Sequence, residues 1–395
     1  MYNVFRSYRV LVGDDIISAD IIVDDQKIVA VAPHGSMMEA CDVGNRLVAP
    51  GFVDLHSDAI EKEIEPRPGA RFPVQMAITE LDRKLGMAGI TTMFHAIGFN
   101  DASLTGNRGT RQAAELIRQI VTANEQELTI DNLIHARYEL TSFASVAEIK
   151  RLIDDDTINL LSVMDHTPGQ GQFQSVESWK RFHLPAYGIS SREADKIIAQ
   201  KLRDKNISYE LLRKLFTAAA ARGIMLASHD DDMVEKVDFL SDMGVTISEF
   251  PLSVGVARHA HRRGLATGMG APNVIRGESQ SGNISARELI SEQVCDFVCS
   301  DYHPSSLLQV PYVLERELGM PLPAGFAMVS STPARIAGLK DRGVIAPGSL
   351  ADLVVIEDEQ IPRVVMTIKN GIIIYSGIGS HATALLRQEL VRAVC

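Results

Sequence analysis

Ala49-Pro50-Gly51-Phe52-Val53-Asp54-Leu55-His56-Ser57-Asp58 is the stretch from which the fold reads outward. Pro50-Gly51 is a turn signal, and Phe52, Val53 and Leu55 then form a short, mostly apolar strand that ends in His56 and Asp58. Residues two apart on a strand face the same way, so His56 and Asp58 can offer an imidazole nitrogen and a carboxylate oxygen to one point. A His-x-Asp pair alone is weak and more often marks an ordinary strand end. Its meaning comes from downstream, where further strand-like runs also end in His or acidic residues.

From Gly51 to about Leu339, apolar strands alternate with helical patterns, the signature of a parallel α/β array. The strand candidates are Phe52 to His56, Ile90 to His95, Asn132 to Leu140, Ile158 to Asp165, Ile224 to His229, Val245 to Phe250, Leu265 to Met269 and Asp296 to Asp301. That set suffices for a closed (β/α)8 TIM-like barrel, in which chemistry gathers at the C-terminal strand ends. Glu139, Asp165, His166, His229 with Asp230 to Asp232, Glu249 and Asp301 all lie there. Convergent carboxylates and imidazoles suit one or two divalent metal ions, which would bring water near neutrality in pKa. A neighbouring carboxylate would then shuttle the proton.

The barrel is expected over 51–342. Residues 1–50 and 343–395 read instead as short β-type runs: Tyr8 to Val12, Ser18 to Val23, Lys27 to Val31, Arg46 to Ala49, Ala351 to Ile356 and Arg363 to Ile368. Lys369-Asn370-Gly371 is a hairpin turn. Each terminal segment is too short for a core of its own, so the two are expected to pair into a small β-sandwich, with a closing helix at Ala382 to Val394. Residues 169–209 exceed a usual strand-to-helix connection. Their Gly-Gln-Gly-Gln-Phe start, single Trp179 and helical charge pattern fit a lid over the barrel mouth or a surface insertion.

The 395 residues carry a net charge of -11 and a pI near 5.5, which argues against a general nucleic-acid binder. An anionic small molecule stays compatible, because local Arg and Lys residues and a bound cation reverse the field inside a cleft. No run has the length of a membrane helix, and the N-terminus leads into strand-like sequence rather than a signal peptide, so a cytoplasmic protein is expected. Cys41, Cys295, Cys299 and Cys395 lack C-x-x-C spacing. Cys295 and Cys299 flank a buried strand, where cysteine packs as a small hydrophobe. A homodimer is expected, since large acidic barrels commonly pair.

Two segments could meet an anion. Gly270 to Asn283 follows the seventh strand with glycines, Arg276, Ser281 and Asn283, and Glu61 to Pro68 places Lys62 and Arg67 over the same mouth. A plain glycine-rich loop and a solvated charge run read alike. His95, in an apolar run, reads as a hydrogen-bonded core histidine. His259 and His261, among Arg258, Arg262 and Arg263, read as a solvated basic helix face. His34, His135, His183 and His381 carry no functional expectation.

Together these motifs resemble the amidohydrolase superfamily of metal-dependent hydrolases, through the entry Ala49 to His56 and the exit Gly343 to Leu353. Within it the chain is similar to the α-D-ribose 1-methylphosphonate 5-triphosphate diphosphatases of the carbon-phosphorus lyase pathway. That similarity rests on Leu55 to Asp58, Glu65 to Gly69, His135 to Leu140, Met164 to Gln170, Ala227 to Asp231, Gly270 to Asn283 and Ser300 to Leu308. It implies hydrolysis of a ribose 5-triphosphate with release of diphosphate. It also implies a divalent metal, zinc foremost with manganese or iron as alternatives, held by His56, Asp58, Glu139, His166, His229 and Asp301.

Asp301 would accept the proton from the attacking water, and Glu139 would stand where many members use a carboxylated lysine. Lys62, Arg67, Arg137, Asp230, Arg276, Ser281, Asn283, Tyr302 and Ser305 would contact a phosphorylated sugar substrate. The strand count places His166 and His229 one strand earlier than the superfamily habit. Against the family pattern, Glu278 replaces a glycine, Gln280 a histidine, His303 a tyrosine and His95 an aspartate, and Glu278 would repel a polyphosphate. Two alternatives accompany this reading: C-N hydrolysis of a cyclic amide or amino group, and a barrel retained as a non-catalytic scaffold.

Overall fold

Ile90–Phe99 is buried at every position, and Leu160–Met164 likewise, because strands covered on both faces need continuous apolar sequence rather than alternation. In the computed structural model, which describes residues 2–67, 69–100, 109–126, 128–167, 175–187, 189–280 and 282–377, eight such strands lie side by side. They are Phe52–Ser57, Ile90–Phe99, Asp131–Glu139, Leu160–Met164, Met225–His229, Ile247–Glu249, Ala266–Gly270 and Phe297–Cys299. Every adjacent pair is parallel, in sequence order.

The first and eighth strands close the ring at its C-terminal end, where Asp301 N donates to His56 O at 2.9 Å and Asp58 N to Asp301 O at 3.0 Å. Ser57 and Asp301 form the parallel bridge that completes the circle. Closure of the barrel and convergence of His56, Asp58 and Asp301 are therefore one event.

Inside the ring, Val53, Leu55, Phe94, Leu160, Ala227, Ile247, Phe297 and Cys299 form a core cluster. Gly268 leaves the space that the Phe297 ring fills: a Cβ there would stand 2.2 Å from it. Strict alternation would turn His56 away from the face of Leu55. The register between the first two strands instead shifts between Asp54 and Ser57, a bulge that brings His56 among the interior residues. A second, larger core lies between the strands and the surrounding helices. His95 belongs there as a core histidine, its Nε2 2.7 Å from Asn132 Oδ1.

The terminal segments pair, as expected, into one small β domain with its own core, its strands linked in a single mostly antiparallel sheet. Its order is Ile372–Ser376, Arg363–Lys369, Leu353–Glu357, Leu47–Pro50, Asn3–Val12, Asp15–Asp24 and Lys27–Pro33, with Cys41–Asp42 beside Asn3–Val12. The interleaving has a simple cause. Leu47–Pro50 leads into the barrel and Leu353–Glu357 leaves it, and the two pair antiparallel. Asn370 and Gly371 take positive φ values of 51° and 79°, as a two-residue hairpin turn requires. The predicted helix at 382–394 lies outside the described residues.

The stretch 169–209 contains the helix Val176–Tyr187 and the start of Ser191–Ala221. Ser190 and Glu193 form a reciprocal capping box at that start. Trp179, Ala194 and Ile198 form a small core separate from the barrel's.

Candidate active site

The barrel centre is built from strand ends. His56 from the first strand, His229 from the fifth and Glu249 from the sixth place ligand atoms within 4.8 Å of one another. Glu249 Oε2 lies 3.1 Å from His56 Nδ1 and 3.4 Å from His229 Nδ1, and Glu249 Oε1 has no hydrogen-bond partner. Burial pushes the Glu249 carboxyl up and holds the His229 imidazole well below its ordinary range. A neutral imidazole keeps a nitrogen lone pair, and a buried carboxylate with an unsatisfied oxygen favours a cation. Two nitrogens and an oxygen so placed fit a divalent metal.

Asp301 lies at the mouth of the closed ring. Burial first, and then the charge of Asp58, raise its carboxyl to about 7. Asp54 beneath it is buried, accepts from the Ser300 backbone N-H at 3.0 Å, and is also raised to about 7, chiefly by burial. Asp230, 3.6 Å from His229 Nε2, is raised to about 6 by burial. Asp230, Phe250 and Asp301 all have φ near +50 to +56°. Such conformations on non-glycine residues at three strand ends are held by the surrounding structure. Lys236 donates to His229 O at 2.8 Å and Asp230 O at 3.2 Å.

A third grouping pairs Glu139 with His166. Glu139 Oε2 is 2.8 Å from His166 Nδ1, and the His166 N-H donates to Glu139 Oε1 at 3.3 Å. Between the groupings, the buried Arg137 donates through Nη2 to His229 Nε2 at 3.1 Å.

The other expected residues are spread more widely. Lys62 Nζ stands 4.5 Å over the Tyr302 ring, so these two meet. Arg67 and Ser305 are exposed, with Ser305 Oγ 3.4 Å from His303 Nδ1. Arg276 lies 3.7 Å from Glu278, so the acid expected to repel a substrate instead has a basic neighbour. Asn283 is partly buried, and Ser281 lies outside the described residues.

Two interior residues were not assigned from the sequence. Glu249 was one strand-end acid among several, and His135 carried no expectation. His135 is fully buried, with Nδ1 3.1 Å from Leu55 O, Nε2 2.8 Å from Ser162 Oγ and 3.8 Å from Glu249 Oε2; burial lowers its pKa to about 3. Strand parity was the available signal, since His135, Arg137 and Glu139 share one face of the third strand. The eight observed strands keep His166 after the fourth and His229 at the end of the fifth, and the sixth contributes Glu249.

The architecture, a closed eight-stranded parallel barrel beside a separate sheet, is one shared with barrel enzymes of solved structure. The N-acetyl-D-glucosamine-6-phosphate deacetylase of Mycobacterium smegmatis superposes with a TM-score of 0.62 at 15% identity, over 94% of this chain and 99% of that one. The dihydropyrimidinase of Brevibacillus agri superposes with a TM-score of 0.64 at 12% identity, over 95% of each chain. A family model described as "Amidohydrolase family" matches residues 300–375. The adenine deaminase of Clostridium acetobutylicum is 23% identical over 94% of this chain, which spans 56% of that longer protein. The alpha-D-ribose 1-methylphosphonate 5-triphosphate diphosphatase of Escherichia coli (strain K12) is 30% identical over 356 residues, 89% of this chain and 94% of that one. The chain belongs to the amidohydrolase superfamily, in the family of that diphosphatase.

Proposed function

We propose that the protein is a metal-dependent diphosphatase that cleaves a phosphoric anhydride bond of α-D-ribose 1-methylphosphonate 5-triphosphate in phosphonate catabolism. The observation that carries this reading is near full-length similarity to a diphosphatase of that name, in a chain whose strand ends gather imidazoles and carboxylates. Hydrolysis breaks the bond between the first and second phosphates, leaving the 5-phosphate and releasing diphosphate.

His56, His229 and Glu249, with Asp58, Asp301, Glu139 and His166, are the residues that would hold one or two divalent ions, zinc first. When bound, the metal supplies Lewis acidity that lowers the pKa of water and offsets charge developing on phosphoryl oxygens. Asp301, placed at the closing bridge between the first and eighth strands, takes the proton from water. Arg137 supplies fixed positive charge from the interior, and Lys62 with Tyr302 forms a cationic and aromatic edge for the phosphorylated sugar. The pairing of Arg276 with Glu278 softens the repulsion that the acid would otherwise impose.

A second reading, deamination or another C-N hydrolysis, is favoured by the similarity to adenine deaminases. Diphosphate release from the phosphonate triphosphate, with ATP and ribose 5-triphosphate for comparison, separates the two after metal removal and add-back of zinc, manganese or iron. Metal-dependent release that is fastest with the phosphonate supports the diphosphatase. No release with any metal, although the metal binds stoichiometrically, moves the assignment to C-N hydrolysis, to be tested with adenine and cyclic amides.

A further inference from the structure

Trp179 is the one tryptophan of the sequence, and it is completely buried. Its ring belongs to the small core formed with Ala194 and Ile198, against which Leu184, Ile189 and Ile197 pack. Its indole N-H leaves that core and donates to the His166 backbone carbonyl at 2.8 Å. An indole has one donor and no acceptor, so a buried ring must aim that N-H at a partner, and the bond fixes both ends.

The other side of His166 is fixed as well: Glu139 lies 2.8 Å from its Nδ1 and accepts from its backbone N-H. His166 follows the short strand Leu160–Met164 and is not itself held by a strand ladder. Glu139 on one flank and the Trp179 indole on the other are therefore two of the contacts that set its position.

We infer that Trp179 is a positioning residue that couples the docking of the helical pair around Val176–Tyr187 to the aim of His166. This rests on the reading of His166 as a metal ligand. Groups that hydrogen-bond a ligating side chain typically control metal affinity by about 10- to 100-fold, and a bond to the ligand's own backbone carbonyl is expected at the low end of that range, since it acts through the aim of the residue. The same geometry makes Trp179 a reporter, because a metal that draws on His166 perturbs the hydrogen bond at the only indole.

The test uses the full chain stripped of metal and titrated with zinc, which is redox-inert, while tryptophan emission is followed. A saturable change in emission is expected, with the midpoint found by chelator competition, and it should vanish in His166→Ala. Trp179→Phe, which keeps an aromatic ring but removes the donor, should weaken zinc by about 10-fold and alter the cobalt absorption spectrum. The metal-free variant should stay folded, with an unfolding midpoint lowered only by the loss of one buried hydrogen bond and a smaller ring. Stoichiometric zinc binding with unchanged emission, or unchanged zinc affinity and cobalt spectrum in Trp179→Phe, overturns the inference. Full zinc affinity and stoichiometry in His166→Ala instead overturns the reading of His166 as a ligand.

Discussion

At the scale of single residues, the proposed function gives Asp301 proton transfer beside metal contact, and gives Glu249, in the cluster with His56 and His229, metal contact alone. Asp301 is raised to about 7 by burial and Asp58, yet its backbone is pinned on both sides by Asp301 N to His56 O and Asp58 N to Asp301 O. Asp301→Asn keeps the shape and those bonds but cannot take a proton. Turnover should fall by about 10²- to 10⁴-fold, the usual worth of a positioned base, with metal content and fold nearly intact, as metal analysis and circular dichroism would check. Glu249 carries no such proton step. Its Oε2 is shared between His56 and His229, and its Oε1 is unsatisfied, so Glu249→Gln should lower metal affinity at least about 10-fold, seen as a weaker zinc isotherm. Unchanged zinc binding in that variant would remove Glu249 from the site.

At the scale of elements, barrel and sheet are tied by a buried ionic clasp. Lys369, in the strand Arg363–Lys369, donates to Asp352 at 2.8 Å and to Asp131 at 2.8 Å, the first residue of the third barrel strand. Arg342 reaches the same Asp131 carboxylate. Asp352 is buried, and its other oxygen accepts from the Asn370 backbone. Lys369→Met would leave the Asp352 charge without its cation, at a cost of about 3–5 kcal/mol, read as a lower urea midpoint for the whole chain. A midpoint within about 0.5 kcal/mol of the parent would mean that the clasp contributes little beyond the apolar packing around it.

At the scale of the whole molecule, stability toward acid depends on carboxylates held ionised in the terminal sheet. Asp20 is fully buried and takes a two-pronged bond from Arg6, at 2.7 and 2.8 Å, together with the Gly35 and Met37 backbone N-H groups. The Arg6 bond holds its carboxyl well below the usual range. A carboxyl depressed in the folded state stabilises the protein above its unfolded value of about 3.9, and that contribution is lost as pH falls through the folded value. The stability gap between the parent and Asp20→Asn should therefore be constant from pH 7 to about 5 and narrow as pH drops below about 4. Urea midpoints along that series check it, and a gap that widens toward acid would reverse the sign.

The eight barrel strands were legible in the sequence because both-face burial writes itself as continuous apolar runs, each ended by a turn signal or a polar residue. The strand-end positions of His56, His229 and Asp301 were legible for a related reason: in this architecture chemistry gathers where strands stop. The consequences of ring closure were not legible. Glu249 meets His56 across 193 residues of chain, and no local pattern encodes that distance. The bulge between Asp54 and Ser57, which sets the direction of His56, depends on pairing with the neighbouring strand. The terminal runs were readable as strands, whereas their merger into one sheet was decided by where the chain enters and leaves the barrel, Leu47–Pro50 against Leu353–Glu357. The sequence by itself determined which segments become strands and which side chains stand at their ends, because burial and period two act locally. The tertiary structure alone decided which of those ends face one another, because ring closure and register are properties of the assembled sheet.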